Sequence, residues 1–242
     1  MSRSSQVAGQ SGRSRIRARA GATAGLGACL AILVALVASA GAATTSGATV
    51  VLGGTGSMPD PSCPGSPCQA IGSVTGFQVS TNQGQLPFRV RRDGKVKSWT
   101  LTLSEPTGSQ RSFFNGFFGT PPEARLAILR RITGTNPPRY NLRSQGSIHV
   151  LTTYLGQTVR FSANLRVRKG DIVGLTVSTW APAFAQGLSS DNAWRASREA
   201  GKCVNATDVR QGEPQLKVNR RATYGCRYST ARLLYTATVV ED

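Results

Sequence analysis

The stretch Val159-Arg160-Phe161-Ser162-Ala163-Asn164-Leu165-Arg166-Val167 alternates apolar and polar side chains without a break. Successive side chains of an extended chain point to opposite faces, so this pattern predicts a strand with one buried and one wetted face. Arg168-Lys169-Gly170-Asp171 then turns the chain, and residues 172–180 follow as a more fully apolar strand. Outward from this pair the same signature recurs. Residues 48–52 and 74–79 are short strand candidates. Leu86, Phe88 and Val90 alternate with Pro87, Arg89 and Arg91, and Trp99, Leu101 and Leu103 alternate with Thr100, Thr102 and Ser104. Residues 124–132, 148–155 and 233–240 complete the series. Turns rich in Gly, Pro and Asn join these runs, which is how an antiparallel two-sheet sandwich is written. The expected fold is therefore all-β: a jelly-roll-like sandwich over residues 44–242, with one long loop at 181–231.

Residues 1–43 read differently. Arg3, Arg13, Arg15, Arg17 and Arg19 precede an uncharged run, LGACLAILVALV at 26–37, and a small-residue stretch follows at 38–43. A basic region, an apolar core of about a dozen residues and small residues offering A-x-A sites are the three parts of a secretory signal peptide. The alternative is a signal anchor, with residues 22–43 spanning the membrane and the domain outside. Cys29 sits at the start of the apolar run, where a lipid-acylation box would close it, and belongs to the signal.

The formal net charge is +18, and removing the five arginines of the leader leaves +13 on the remaining chain. Such an excess favours anionic partners, here an acidic glycan or an anionic polymer of the cell envelope. Nucleic acid fits the charge but no motif supports it, and a membrane enters only through an uncleaved leader. Four cysteines remain after Cys29: Cys63, Cys68, Cys203 and Cys226. An even count in an exported chain implies two disulfides, and the favoured pairing is Cys63–Cys68 with Cys203–Cys226.

Two segments stand apart from the strands. Ser112-Phe113-Phe114-Asn115-Gly116-Phe117-Phe118-Gly119 places four phenylalanines around Asn-Gly, a strong hairpin signal, with the rings expected to close one end of the core. In the long loop, residues 191–201 read as a short helix capped by Asp191 and ended by Gly201. On that helix Trp194 and Arg198 share a face. Trp180, Phe184, Trp194, Arg195 and Arg198 are the candidate ligand-binding residues, indole faces to stack on a sugar ring and guanidinium groups to pair with carboxylate or phosphate. The competing reading makes Trp180 and Trp194 a satellite core that pins the loop.

No catalytic, metal-binding or cofactor-binding set is nominated. The single histidine, His149, has no nucleophile-elbow motif to serve, and between Gly94 and Gly170 the acids are Glu105 and Glu123 alone. The expected role is a non-catalytic binding or structural protein outside the cytoplasmic membrane. The alternative is a secreted glycan-active hydrolase whose carboxylates converge only in the fold.

The segments ARLAILR at 124–130, LRVRKGDIVGL at 165–175 and TATVVED at 236–242 resemble those of a loose group of secreted bacterial β-sandwich proteins without an assigned function. TWAPAF at 179–184 and WRASR at 194–198 are similar to a narrower subset. The resemblance implies a sandwich and export, and it carries no activity.

Overall fold

The computed structural model describes residues 47–54 and 56–242. The expected leader at residues 1–43, with its expected cleavage region and Cys29, lies outside the described residues. Strands are numbered along the chain. β1 (Thr49–Leu52), β15 (Tyr235–Glu241), β4 (Gly94–Thr102) and β8 (Thr158–Val167) form one four-stranded sheet in that order. The larger sheet runs β12 (Arg221–Thr223), β6 (Arg139–Gln145), β5 (Glu123–Ile132), β9 (Ile172–Ala181), β2 (Ile71–Thr81), β11 (Ala193–Ala196), β13 (Cys226–Ser229). Off this path β3 (Gly84–Gln85) pairs with β2, and β7 (His149–Val150) with β5. A separate ribbon joins β10 (Phe184–Gln186) to β14 (Ala231–Leu233). Two helices, α1 (Gly108–Phe118) and α2 (Ala206–Arg210), complete an antiparallel all-β sandwich.

β8 behaves as its alternation requires. Phe161 and Val167 are buried, while Arg160, Ser162, Asn164 and Arg166 are exposed. Register places Phe161 opposite Trp99 and Ala237 opposite Trp99 on the other side, so one face of the small sheet is a continuous apolar layer. That layer meets the larger sheet through His149, whose ring stacks on Phe161 at 4.1 Å and sits edge-on to Trp99 at 5.7 Å. β2 and β9 are buried almost throughout, because their second face is covered too. At one end α1 lies over β9. Elsewhere the segment 197–224 folds across β2: Thr75 N donates to Ser197 Oγ at 2.9 Å, Gln215 N donates to Thr75 Oγ1 at 2.9 Å, and Tyr224 OH donates to Gln215 Oε1 at 2.7 Å.

Both expected disulfides are present, Cys63–Cys68 and Cys203–Cys226. Four sequence expectations are corrected. The phenylalanine-rich segment is not a hairpin: Asn115-Gly116 lies inside α1. Thr107 and Gln110 form a reciprocal capping box that starts the helix, and Asn115 is held there by the indole of Trp180. Residues 86–90 are not a strand, since Leu86 has φ +49° and Pro87 lacks a backbone donor. Phe88 and Val90 are nonetheless buried, as their alternation suggests. The run 148–155 gives just β7 followed by a 3-10 turn at Thr152–Tyr154. Finally, 181–231 is no plain loop. It supplies β10 to β14, and its helix is α2 rather than 191–201, where β11 instead extends the large sheet between β2 and β13.

His149 makes the fold pH-sensitive in a defined direction. Burial lowers its pKa below the ordinary imidazole value. The unfolded chain therefore takes up a proton at a pH where the folded chain does not, and stability falls as pH drops from about 6.5 through the depressed folded value. Urea midpoints at pH 7.5 and 5.5 should differ more for the wild type than for His149→Phe. Equal pH dependence in both would remove the imidazole as the cause.

Candidate functional site

The five residues singled out in the sequence do not form one surface. Trp180 is buried against Phe114 at 5.1 Å, and its Nε1 donates to Asn115 Oδ1 at 2.9 Å. It belongs with Cys63 and α1 in a small separate core. Phe184 and Trp194 lie together in the main core, rings edge to face at 6.0 Å. Tyr228, opposite Trp194 in the β11–β13 register, stacks on the indole at 4.7 Å.

The separation of Arg195 from Trp194 has a geometric cause. β11 ends at Ala196 and the chain bends at Ser197, so Arg198 lies beyond the strand and is brought beside Trp194 by its bonds to the Gly72 carbonyl and the Tyr228 hydroxyl. Within the strand, residues one apart are opposed across it. Arg195 accordingly pairs with Phe77 and Arg227 in the register, and its Nη1 donates to the Tyr224 carbonyl at 2.9 Å. Burial holds its pKa below the usual guanidinium range, against the attraction of Tyr140, and Arg227 and Arg131 push it the same way as burial. Phe184, Trp194, Arg198 and Tyr228 do line a common pocket.

A grouping of five cations lies elsewhere. A cleft of about 720 Å³ opens between β6 and β8 at the 168–171 turn, lined by Arg130, Arg143, Arg166, Arg168 and Lys169 with Asp93 and Asp171. The two acids hold the turn. Asp171 Oδ1 accepts from Arg130 Nε at 2.6 Å and its Oδ2 from the Arg168 backbone N at 2.8 Å, while Asp93 Oδ1 accepts from the Lys169 backbone N at 2.8 Å. Arg143, Arg166, Arg168 and Lys169 have no ion-pair partner among the described residues, and all four side chains reach solvent. On the adjoining outer face of the small sheet, Arg166 stands opposite Lys95, and Arg160 is oriented by Nε donation to Ser98 Oγ at 2.9 Å. None of these cations is among the sequence candidates; Arg166 enters the sequence reading only as an outward residue of β8, and Arg168 and Lys169 only as part of the turn after it. Arg143 was missed although Arg139, Asn141 and Arg143 alternate with the buried Tyr140 and Leu142; the pattern spans five residues and β6 was not among the expected strands.

A smaller pocket of about 190 Å³ collects three carboxylates, Glu199, Asp208 and Glu213, together with Arg139, Arg198, Lys202 and Arg221. An acid–base pair for glycoside cleavage needs one carboxyl kept protonated by an apolar surrounding. Here Glu199 and Glu213 are exposed and Asp208 half-buried, among basic neighbours. No group of three or more His, Cys, Asp or Glu among the described residues is placed to hold a metal ion. No helix among them is long and apolar enough to cross a membrane. No family model, curated protein or solved structure matches the chain.

Proposed function

We propose that the protein is an exported, non-catalytic binding protein whose ligand is an anionic polymer of the cell envelope or an acidic glycan. The observation that carries this reading is the cleft between β6 and β8. There, four cations are left without counter-ions while the two acids present are used to fix the turn. Guanidinium groups form bidentate hydrogen bonds with phosphate and carboxylate, so a polymer bearing either group has matching partners. The two disulfides support a place outside the cytoplasmic membrane, and the charge of +13 outside residues 1–43 supports an anionic partner.

The test is retention on immobilised polyphosphate, polygalacturonate and duplex DNA over a salt series. Attraction between exposed charges is screened within about 8 Å at physiological ionic strength, so the wild type should elute from the first two at increasing salt. The triple variant Arg143→Ala, Arg166→Ala, Arg168→Ala should elute markedly earlier. Elution of the variant at the wild-type position, or stronger retention on DNA than on either polymer, would overturn the assignment.

The hydrolase alternative would have to use the three carboxylates of the smaller pocket, although they are exposed or half-buried among basic neighbours. It requires release of reducing ends from an acidic glycan that Glu199→Gln and Glu213→Gln abolish.

A further inference from the structure

Arg198 is an unusual cation. It is 7% exposed, and no carboxylate among the described residues lies within ion-pair distance. Its Nη2 donates to the Gly72 carbonyl at 2.9 Å and the Val209 carbonyl at 3.5 Å and its Nη1 to the Tyr228 hydroxyl at 3.1 Å, while Nε has no protein partner. A buried charge held by neutral dipoles alone is costly, and such a group is normally paired. Close by, Trp194 is 4% exposed and its Nε1 also lacks a protein partner. Both residues line one pocket of about 290 Å³, whose other walls include Ile71, Phe118, Phe184 and Tyr228.

The aromatic rings of this pocket are not a sugar platform. One face of the indole carries Tyr228, and its benzo ring lies over Gly76 so closely that a Cβ there would come within 2.9 Å of Cζ3. Phe118 lies over Gly72 in the same manner. With the indole flanked by Tyr228 and Gly76 and Phe118 seated on Gly72, these two rings offer edges rather than free faces, which suit an apolar body better than a stacked pyranose. Its volume is at the small end of ligand sites.

We propose that this pocket binds a small organic acid, an aryl or short acyl body whose carboxylate pairs with Arg198 and comes within reach of the Trp194 donor. The pocket shares no lining residue with the β6–β8 cleft, so the inference stands independently of the polymer reading.

Calorimetric titration with benzoate, hexanoate, benzamide and glucuronate tests it, alongside thermal shifts. Benzoate or hexanoate should bind and raise the melting temperature. Benzamide, which keeps the ring and loses the charge, should bind about tenfold more weakly or worse. Arg198→Met should abolish the benzoate shift. Trp194→Phe keeps most of the packing and removes the orphan donor, so it should fold with nearly unchanged stability while weakening the acid. Should Arg198→Met not fold, the Trp194→Phe comparison and the benzoate–benzamide ratio decide. Absence of benzoate and hexanoate binding, equal binding of benzamide, preference for glucuronate, or unchanged benzoate affinity in Trp194→Phe would each overturn the proposal.

Discussion

Replacing Trp180 by alanine is expected to destabilise the domain by about 3–5 kcal/mol, the range for emptying a large aromatic site in a core. The indole is 1% exposed and is the piece of β9 on which α1 rests. Phe114 packs on its ring, Asn115 accepts its N–H, and the Cys63–Cys68 bridge completes the contact. Losing it leaves a cavity and an unpaired Asn115 side chain. Trp180→Phe isolates the second part: the ring stays, the hydrogen bond goes, and the cost should fall to about 1 kcal/mol plus a small packing loss. Phe113→Ala, at the residue preceding Phe114 in the same helix and 61% exposed, should change stability by less than about 0.5 kcal/mol. Urea titrations of the three variants give the ordering. A Trp180→Ala variant as stable as Phe113→Ala would mean that α1 is not anchored through this indole.

Of the two central strands of the sequence reading, β8 was legible because period-two burial is a local property, and β9 because a short apolar run after a turn marks a strand covered on both faces. Their neighbours β4 and β5 were legible for the same reasons. Failures arose where a local signal met a stronger tertiary one. Asn115-Gly116 is good hairpin chemistry, yet Thr107 and Gln110 cap a helix and Phe114, Asn115 and Phe118 turn one side of it onto Trp180 and Gly72. The capping box was readable; the partner of Asn115 was not, since Trp180 lies 65 residues away. The 191–201 segment shows a subtler limit. Its polar composition and caps suit a helix, but Ala193, Trp194 and Ala196 find a place between β2 and β13 that buries them completely or nearly so.

The candidate sites were legible to different degrees for the same physical reason. Trp194 and Arg198 line one pocket although no helix joins them: Arg198 lies past the end of β11 and is drawn back by Gly72 and Tyr228, contacts the local sequence does not show. Arg195 required the helix and was lost with it. The basic cleft joins β6 to β8, strands of different sheets, and the sequence gives no register between them. What the sequence did carry was the excess of charge, which bears on association rather than on geometry.

Removing the Cys203–Cys226 bridge, as Cys203→Ala with Cys226→Ala, is expected to cost about 3 kcal/mol, against about 2 kcal/mol for Cys63→Ala with Cys68→Ala. The difference follows from loop length: the bridges close sequence separations of 23 and 5 residues, and a longer loop restricts the unfolded chain more. The longer bridge also sits where the fold has most to lose. It anchors the covering segment of β2 to the edge strand β13, and Cys203 O accepts from the Tyr228 hydroxyl at 2.7 Å. That hydroxyl in turn accepts from Arg198. Loss of the bridge should therefore loosen Tyr228 and Arg198 together and weaken benzoate binding, whereas loss of the shorter bridge should act through α1 and leave Arg198 in place. Equilibrium unfolding of the two double variants, with benzoate titration of each in the absence of denaturant, separates the effects. If the Cys63–Cys68 variant proved the less stable of the two, the tether beneath α1 rather than chain entropy would dominate. Full benzoate affinity in the Cys203–Cys226 variant would show that the wall formed by Tyr228 holds without its disulfide.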